Sequence, residues 1–208
     1  MSTKIPAYEA LASQIKAIGI TQVFGLLSDD TAALVATLDA MGVRFFGARH
    51  ENAAIAMAEG YAAASGRLGL AIIGRGPAMT NGLHGAVYAS MTGSKVLIMY
   101  GDAVVGGPVN NGFGPDNKAF NATGLLAVSG IRTFLASSGE GLTRVFLDAV
   151  RFVEQGRAAA LLMPINVQQQ EIIAATSSVV APLTAQPAPR PRAPALEVAA
   201  ATLARSRK

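Results

Sequence analysis

Cysteine is absent from all 208 residues. The chain therefore has no disulfide framework and no thiolate metal site. Tryptophan is also missing, aromatic residues make up 6%, and only 14% of the residues are charged. Long apolar runs are missing too. The apolar stretches are short and interrupted by Arg75, Lys95 or Asp102, well below the length of a membrane span. The opening Met1-Ser-Thr-Lys-Ile-Pro lacks a charged region followed by an apolar core, so it does not read as a secretory leader. A cytoplasmic protein that does not enter a membrane is the expectation.

Charge of one sign is scarce where a polyanion would need it. The net charge of +4 lies in residues 189–208, where Arg190, Arg192, Arg205, Arg207 and Lys208 face only Glu197. The other residues balance 12 basic against 12 acidic groups. No basic stripe with interleaved aromatics exists to follow a phosphate backbone, so no nucleic-acid partner is expected.

Hydrophobic residues reach 51%, enough for a large core, and strand-like and helix-like patterns alternate six times. Pro6 fits the first turn of a helix that carries Leu11, Ile15 and Ile18 and stops at Gly19. The strands read as 21–25, 43–48, 68–73, 95–100, 131–135 and 158–163. Ser28, Asp29 and Asp30 offer N-cap side chains for a helix closed by Gly42. Further helices read as 51–65, closed by Gly66, then 78–91 and 119–129. Ser137 and Glu140 form a capping box for the last, which runs through Phe152. Glycines 82 and 85 cost their helix about 1 kcal/mol each relative to alanine, so close packing or close ligand approach is expected there.

Such apolar strands separated by helices imply an α/β fold, a doubly wound parallel six-stranded sheet with helices on both faces, over residues 1–172. Residues 173–194 read as a Pro/Ala-rich linker, since five of the ten prolines fall between Pro182 and Pro194. Residues 195–208 read as one helix, the start of a further, truncated domain.

The chemistry concentrates at two places. Glu51 stands where the run Val43 to Ala48 hands over to an alanine-rich helix, and ligands of open α/β sheets bind at such strand ends. Its plain reading is a helix cap favoured by the dipole. His50-Glu51 begins a zincin motif, but Ala54 stands where the second histidine belongs, so no metal is expected. His84 reads as a structural histidine or a group that hydrogen-bonds substrate. The second place, Gly74-Arg-Gly-Pro-Ala-Met-Thr-Asn81, follows a strand and opens a helix. Met79 breaks the dinucleotide glycine pattern and no phosphate-loop Gly-Lys-Ser/Thr occurs, which argues against a nucleotide-dependent oxidoreductase.

The block Arg49-His-Glu-Asn-Ala-Ala-Ile-Ala-Met-Ala-Glu-Gly-Tyr61, with Gly74 to Asn81, resembles the pyrimidine-binding (Pyr) domain of thiamine-diphosphate enzymes. The acetolactate synthase and benzoylformate decarboxylase group is the nearest likeness. The resemblance implies that Glu51 hydrogen-bonds the pyrimidine nitrogen of the cofactor and activates its aminopyrimidine. Gly76, Pro77, Thr80 and Asn81 match the family's Gly-Pro-Gly-x-Thr-Asn turn at the pyrimidine side of the pocket. Phe24 to Asp30 matches the first loop, which places Leu27 at the cofactor and Ser28 toward substrate.

Several positions depart from the family. Ala78 replaces a glycine, Arg75 stands at a small polar position, and Leu27-Ser28 replaces Pro-Gly. Arg75 either binds a substrate carboxylate or narrows the pocket. Residues 116–122 lack the Phe-Gln-Glu segment of acetolactate synthases. Gly101-Asp102 with Asn110-Asn111 imitates the magnesium–diphosphate site but is too closely spaced. The expectation is a chain that holds only the pyrimidine end of thiamine diphosphate, with Mg2+ on a diphosphate-binding (PP) partner domain. Assembly is expected as a homodimer or hetero-oligomer, acting on a 2-oxo acid by decarboxylation or carboligation. The alternative is a catalytically inactive fragment or oligomerisation module of the same fold.

Overall fold

The computed structural model describes residues 3–105, 118, 121–174 and 192–206. Six strands form one parallel sheet: β2 (Gln22–Gly25), β3 (Arg44–Gly47), β4 (Gly69–Ile73), β5 (Val96–Asp102), β6 (Arg132–Leu135) and β7 (Ala159–Pro164). Their spatial order is β3-β2-β4-β5-β7-β6. A short strand β1 (Lys4–Pro6) pairs antiparallel with β8 (Glu171–Ile173) in a separate ribbon.

Successive residues of the central strands are buried on alternate sides, as a period of two requires. Leu70, Ile72, Leu97, Met99, Leu161 and Met163 pack into one apolar layer. That layer is covered by α1 (Ala7–Ala17), α2 (Ala32–Ala40) and α6 (Gly139–Val153). Ala71, Ile73, Ile98, Tyr100, Ala160 and Leu162 pack into the other. Over it lie α3 (Glu51–Ser65), α4 (Pro77–Thr92) and α5 (Ala122–Val128). Burying one such aliphatic side chain contributes about 1.5–3 kcal/mol, so these two layers drive the fold.

The sheet is doubly wound because the chain reverses direction. It moves from β2 outward to β3, then returns past β2 to β4. Right-handed crossovers in opposite directions lay their helices on opposite faces, so α2 and α3 end up on different sides. The loops after β2 and β4 part at this reversal, and a crevice opens at the strand carboxyl ends.

The sequence-based expectations meet local corrections. Pro6 closes β1 and is the N-cap of α1, with extended backbone, and does not lie in its first turn. The N-cap of α2 is Thr31, and neither Ser28, Asp29 nor Asp30 caps that helix. Ser138, one residue past the expected Ser137, caps α6 by accepting from the Gly141 N–H at 3.2 Å. The β1–β8 ribbon was not legible, because its partners come from opposite ends of the described fold. Gly66 does close α3 with a left-handed backbone. A helix α7 (Ile165–Gln168) precedes β8, and α8 (Ala193–Arg205) buries none of its residues. Residues 175–191 of the expected linker lie outside the described residues. Among the described residues no helix is long and apolar enough to cross a membrane.

Candidate functional site

A pocket of about 230 Å³ sits at the reversal of the sheet. The loop after β2 supplies Leu26, Leu27 and Ser28; the turn after β4 supplies Gly74, Arg75, Pro77 and Ala78. Glu51 from the start of α3 and Lys118 complete it. Three segments distant in sequence therefore meet because β3, β2 and β4 are neighbours.

Glu51 is the first residue of α3, held there by the local sequence. His50 precedes it in extended conformation, and its Nδ1 accepts from the Asn52 N–H at 3.2 Å, which caps the helix. His50 thus takes the capping role of the plain reading, while Glu51 does stand as an acidic residue in the first turn, where the helix dipole favours it. Glu51 is only 7% exposed. The Nδ2 of Asn81 donates to its Oε2 at 3.2 Å. No described residue donates to Oε1.

Asn81 reaches Glu51 because α3 and α4 pack closely. A Cβ on Gly82 would come within 2.8 Å of Ile55 Cδ1, and one on Gly85 within 2.8 Å of Asn52 Oδ1. Of the two explanations expected for these helix glycines, close packing is the observed one.

The turn before α4 is set by Gly76, whose φ of 63° suits glycine. Its Cα also lies against the carbonyl of Lys118, where a Cβ would meet the oxygen at 2.5 Å. Pro77 then occupies the first helical position, as its fixed φ favours. The Thr80 hydroxyl donates to the Pro77 carbonyl at 2.7 Å, which stabilises this first turn rather than the pocket wall.

Arg75 is buried, with 8% of its surface exposed, and its backbone N–H donates to Asp30 Oδ2 at 2.9 Å. Burial pushes the Asp30 carboxyl up from its ordinary value, opposed by the donating Ser28 hydroxyl. Burial likewise raises Asp102, opposed by the Ala103 N–H and by the positive charge of Arg75. Arg75 thus meets buried Asp30 through its amide and half-buried Asp102 through its charge. Asp29 differs: a hydrogen bond from Lys118, at 2.5 Å, holds its carboxyl down at about 2.

The structure brings together Leu27, Ser28, Glu51, Arg75 and Pro77 on the pocket, with Gly76 and Asn81 behind Pro77 and Glu51. His84 is exposed on α4 and does not line it. The Asp102 side chain accepts from the following Ala103 N–H at 2.8 Å, while Asn110 and Asn111 lie outside the described residues. Among the described residues no group of three or more His, Asp or Glu is placed to hold a metal ion. Sequence reasoning placed Leu26 and Asp30 in the loop Phe24 to Asp30 without singling them out for the site, and it missed Lys118. Asp30 was read as a helix cap, and only Gly101, a glycine closing an apolar strand, hinted that a side chain comes close there.

The profile of the family described as "Thiamine pyrophosphate enzyme, N-terminal TPP binding domain" matches residues 6–117, more than half of the chain. Among characterised proteins, the chain is 30% identical over 95 residues to human 2-hydroxyacyl-CoA lyase 2, covering 46% of this chain and 15% of that protein. It is 24% identical over 166 residues to the acetolactate synthase large subunit of Haemophilus influenzae, covering 78% of this chain and 28% of that one. The acetolactate synthase of Mycobacterium bovis is 26% identical over 158 residues, covering 76% and 25%. The chain thus spans less than a third of each of these relatives. The extended match, the parallel sheet of order β3-β2-β4-β5-β7-β6 and the pocket at its reversal agree, and the chain belongs to the thiamine pyrophosphate enzyme family as an N-terminal TPP-binding domain.

Proposed function

We propose that this chain is the pyrimidine-binding half of a thiamine-diphosphate enzyme that decarboxylates or carboligates 2-oxo acids. The observation that carries the reading is Glu51: a buried carboxyl on a pocket wall, with one oxygen held by Asn81 and the other without a donor among the described residues.

The residues present fit the aminopyrimidine end of the cofactor. A pocket of about 230 Å³ lies below the roughly 300–1,000 Å³ of complete small-molecule sites, as a half-site would. Its wall offers apolar surface from Leu26, Leu27, Pro77 and Ala78 for a ring face. When bound, thiamine diphosphate supplies a thiazolium carbon that adds to a substrate carbonyl. Glu51 holds or shares a proton with the ring nitrogen, and the first turn of α4 keeps its carboxyl in place through Asn81. Leu27, more than half exposed, is positioned to meet the remainder of the cofactor. The diphosphate end and its Mg2+ belong to a diphosphate-binding domain supplied by another polypeptide with which this domain assembles. The names of the relatives, acetolactate synthase and 2-hydroxyacyl-CoA lyase, support chemistry of this class.

The inactive-module reading keeps one observation in its favour, Arg75 buried at the pocket edge with its amide on Asp30 and its charge near Asp102. One experiment separates the two. In the assembled enzyme, Glu51→Gln lowers turnover by about 10²–10⁴-fold, the usual contribution of a positioned acid–base group, with little change in melting temperature. Unchanged turnover would remove the role given to Glu51.

A further inference from the structure

Asp30 is the most constrained polar side chain of the region, although it does not line the pocket. It is 3% exposed and lies at the end of the loop that joins β2 to α2. Its Oδ2 accepts from the Arg75 N–H at 2.9 Å, in the turn that follows β4. Its Oδ1 accepts from the Ser28 hydroxyl, whose residue lines the pocket. A Cβ on Gly101 would lie 1.7 Å from Oδ2, so the carboxylate rests directly on the end of β5. Gln168 Nε2 donates to the Asp30 carbonyl at 3.0 Å and to the Met163 carbonyl at 2.8 Å, which ties in the end of β7. One residue thereby joins the carboxyl ends of four neighbouring strands, β2, β4, β5 and β7.

The turn it holds leads directly to the site. Arg75 is followed by Gly76 at φ 63°, then by Pro77 at the start of α4. Asn81, in the next turn of that helix, donates to Glu51. Fixing the Arg75 amide therefore fixes the register of the helix start that orients Glu51.

We propose that Asp30 is a positioning residue for the Glu51 pocket, acting through the Arg75 amide and the first turn of α4. Its importance to the cofactor site rests on the function proposed above; its hold on the turn does not. Position 30 must offer an oxygen acceptor to the Arg75 amide and a polar partner to the Ser28 hydroxyl, and Gly101 is required because any side chain there would occupy the same space. Asparagine preserves the arrangement, since its Oδ1 accepts from the Arg75 N–H and its Nδ2 donates to the Ser28 hydroxyl.

The test measures amide exchange by NMR on the chain itself, with the Met99 amide in the central sheet as internal reference. The wild-type Arg75 amide is expected to be protected, and an exchange rate like that of exposed loop amides would overturn the proposal without any variant. Asp30→Ala is expected to speed Arg75 exchange about tenfold or more relative to Met99, while Asp30→Asn stays within about threefold of wild type. Equal acceleration at Arg75 and Met99 would mean general destabilisation and would overturn the proposal. Gly101→Ala, which displaces the carboxylate sterically, must reproduce the local effect; a protected Arg75 amide in that variant also overturns it. In the enzyme assembled with its diphosphate-binding domain, Asp30→Ala should weaken thiamine diphosphate binding about tenfold, with recovery in Asp30→Asn. If the amide results hold but Glu51→Gln leaves turnover unchanged, the functional reading fails and the role of Asp30 in holding the turn stands. If Asp30→Ala frees the amide without affecting cofactor binding in an enzyme that needs Glu51, the positioning proposal fails alone.

Discussion

Asn81 and Glu51, separated by 30 residues, meet through a single 3.2 Å hydrogen bond where the starts of α3 and α4 lie side by side. Glu51 is buried and Asn81 is its donor among the described residues, so removing the amide leaves a carboxyl with no such partner. Asn81→Ala is expected to cost about 1 kcal/mol of stability, the usual scale for one lost hydrogen bond. Urea unfolding measures this directly. An unchanged midpoint would show that the pair contributes nothing in solution.

The glycines of α3 and α4 give opposite expectations from the same substitution. Gly60 is exposed, with open space where a Cβ would stand, so Gly60→Ala should stabilise by about 0.5–1 kcal/mol through helix propensity. At Gly85 an added Cβ would lie 3.2 Å from Ile55 and 2.8 Å from Asn52 Oδ1. There overpacking of about 1–3 kcal/mol outweighs the propensity gain, and Gly85→Ala should destabilise. Thermal melts of the two variants decide it; two gains of equal size would contradict the close α3–α4 contact.

The acid beneath the pocket sets a pH dependence of stability. Burial raises the Asp30 carboxyl above its ordinary value, with Asp29 adding to the shift and Ser28 opposing it; among the described residues, Arg75, Asp102 and Lys118 are the other charged groups of the cluster. The folded state then binds a proton at higher pH than the unfolded chain, so this group's contribution to stability falls as pH rises from about 4. Asp30→Asn keeps both hydrogen bonds and removes the buried charge. It should be more stable than wild type at pH 7.5, with an advantage that shrinks on acidification toward pH 4. An advantage that grows as pH falls would have the wrong sign for a raised carboxyl.

Calorimetry tests how much of the cofactor this chain holds. Titrated alone with thiamine diphosphate and Mg2+, it should bind weakly or not at all, because the pocket offers no group of metal-ligating side chains among the described residues. Micromolar binding that depends on magnesium would mean that a diphosphate site lies on this chain.

The helical spacing of small and apolar residues made α3 legible from Glu51 to the stop at Gly66, and both ends stand where that reading put them. The alternation of apolar strands with helices made the doubly wound sheet legible as well. Capping chemistry was harder to read. Ser28, Asp29 and Asp30 all carry cap-forming side chains, yet Asp30 bonds the Arg75 amide and Asp29 pairs with Lys118. A cap depends on neighbours a few residues away, and here partners 45 and 89 positions distant outcompete them.

Periodicity and motif, both local properties, settled the layer architecture and pointed to Glu51 and the Gly74–Asn81 turn. Strand order is not local, and only the folded chain determined that β2 lies between β3 and β4, bringing those two segments and Ser28 to one crevice. The tertiary structure also decided that Arg75 is buried with its amide on Asp30, that His84 is left in solvent, and that Asp30 underpins the site. Burial and hydrogen-bond partnership depend on which surfaces meet, and that is fixed only when the sheet closes against its helices.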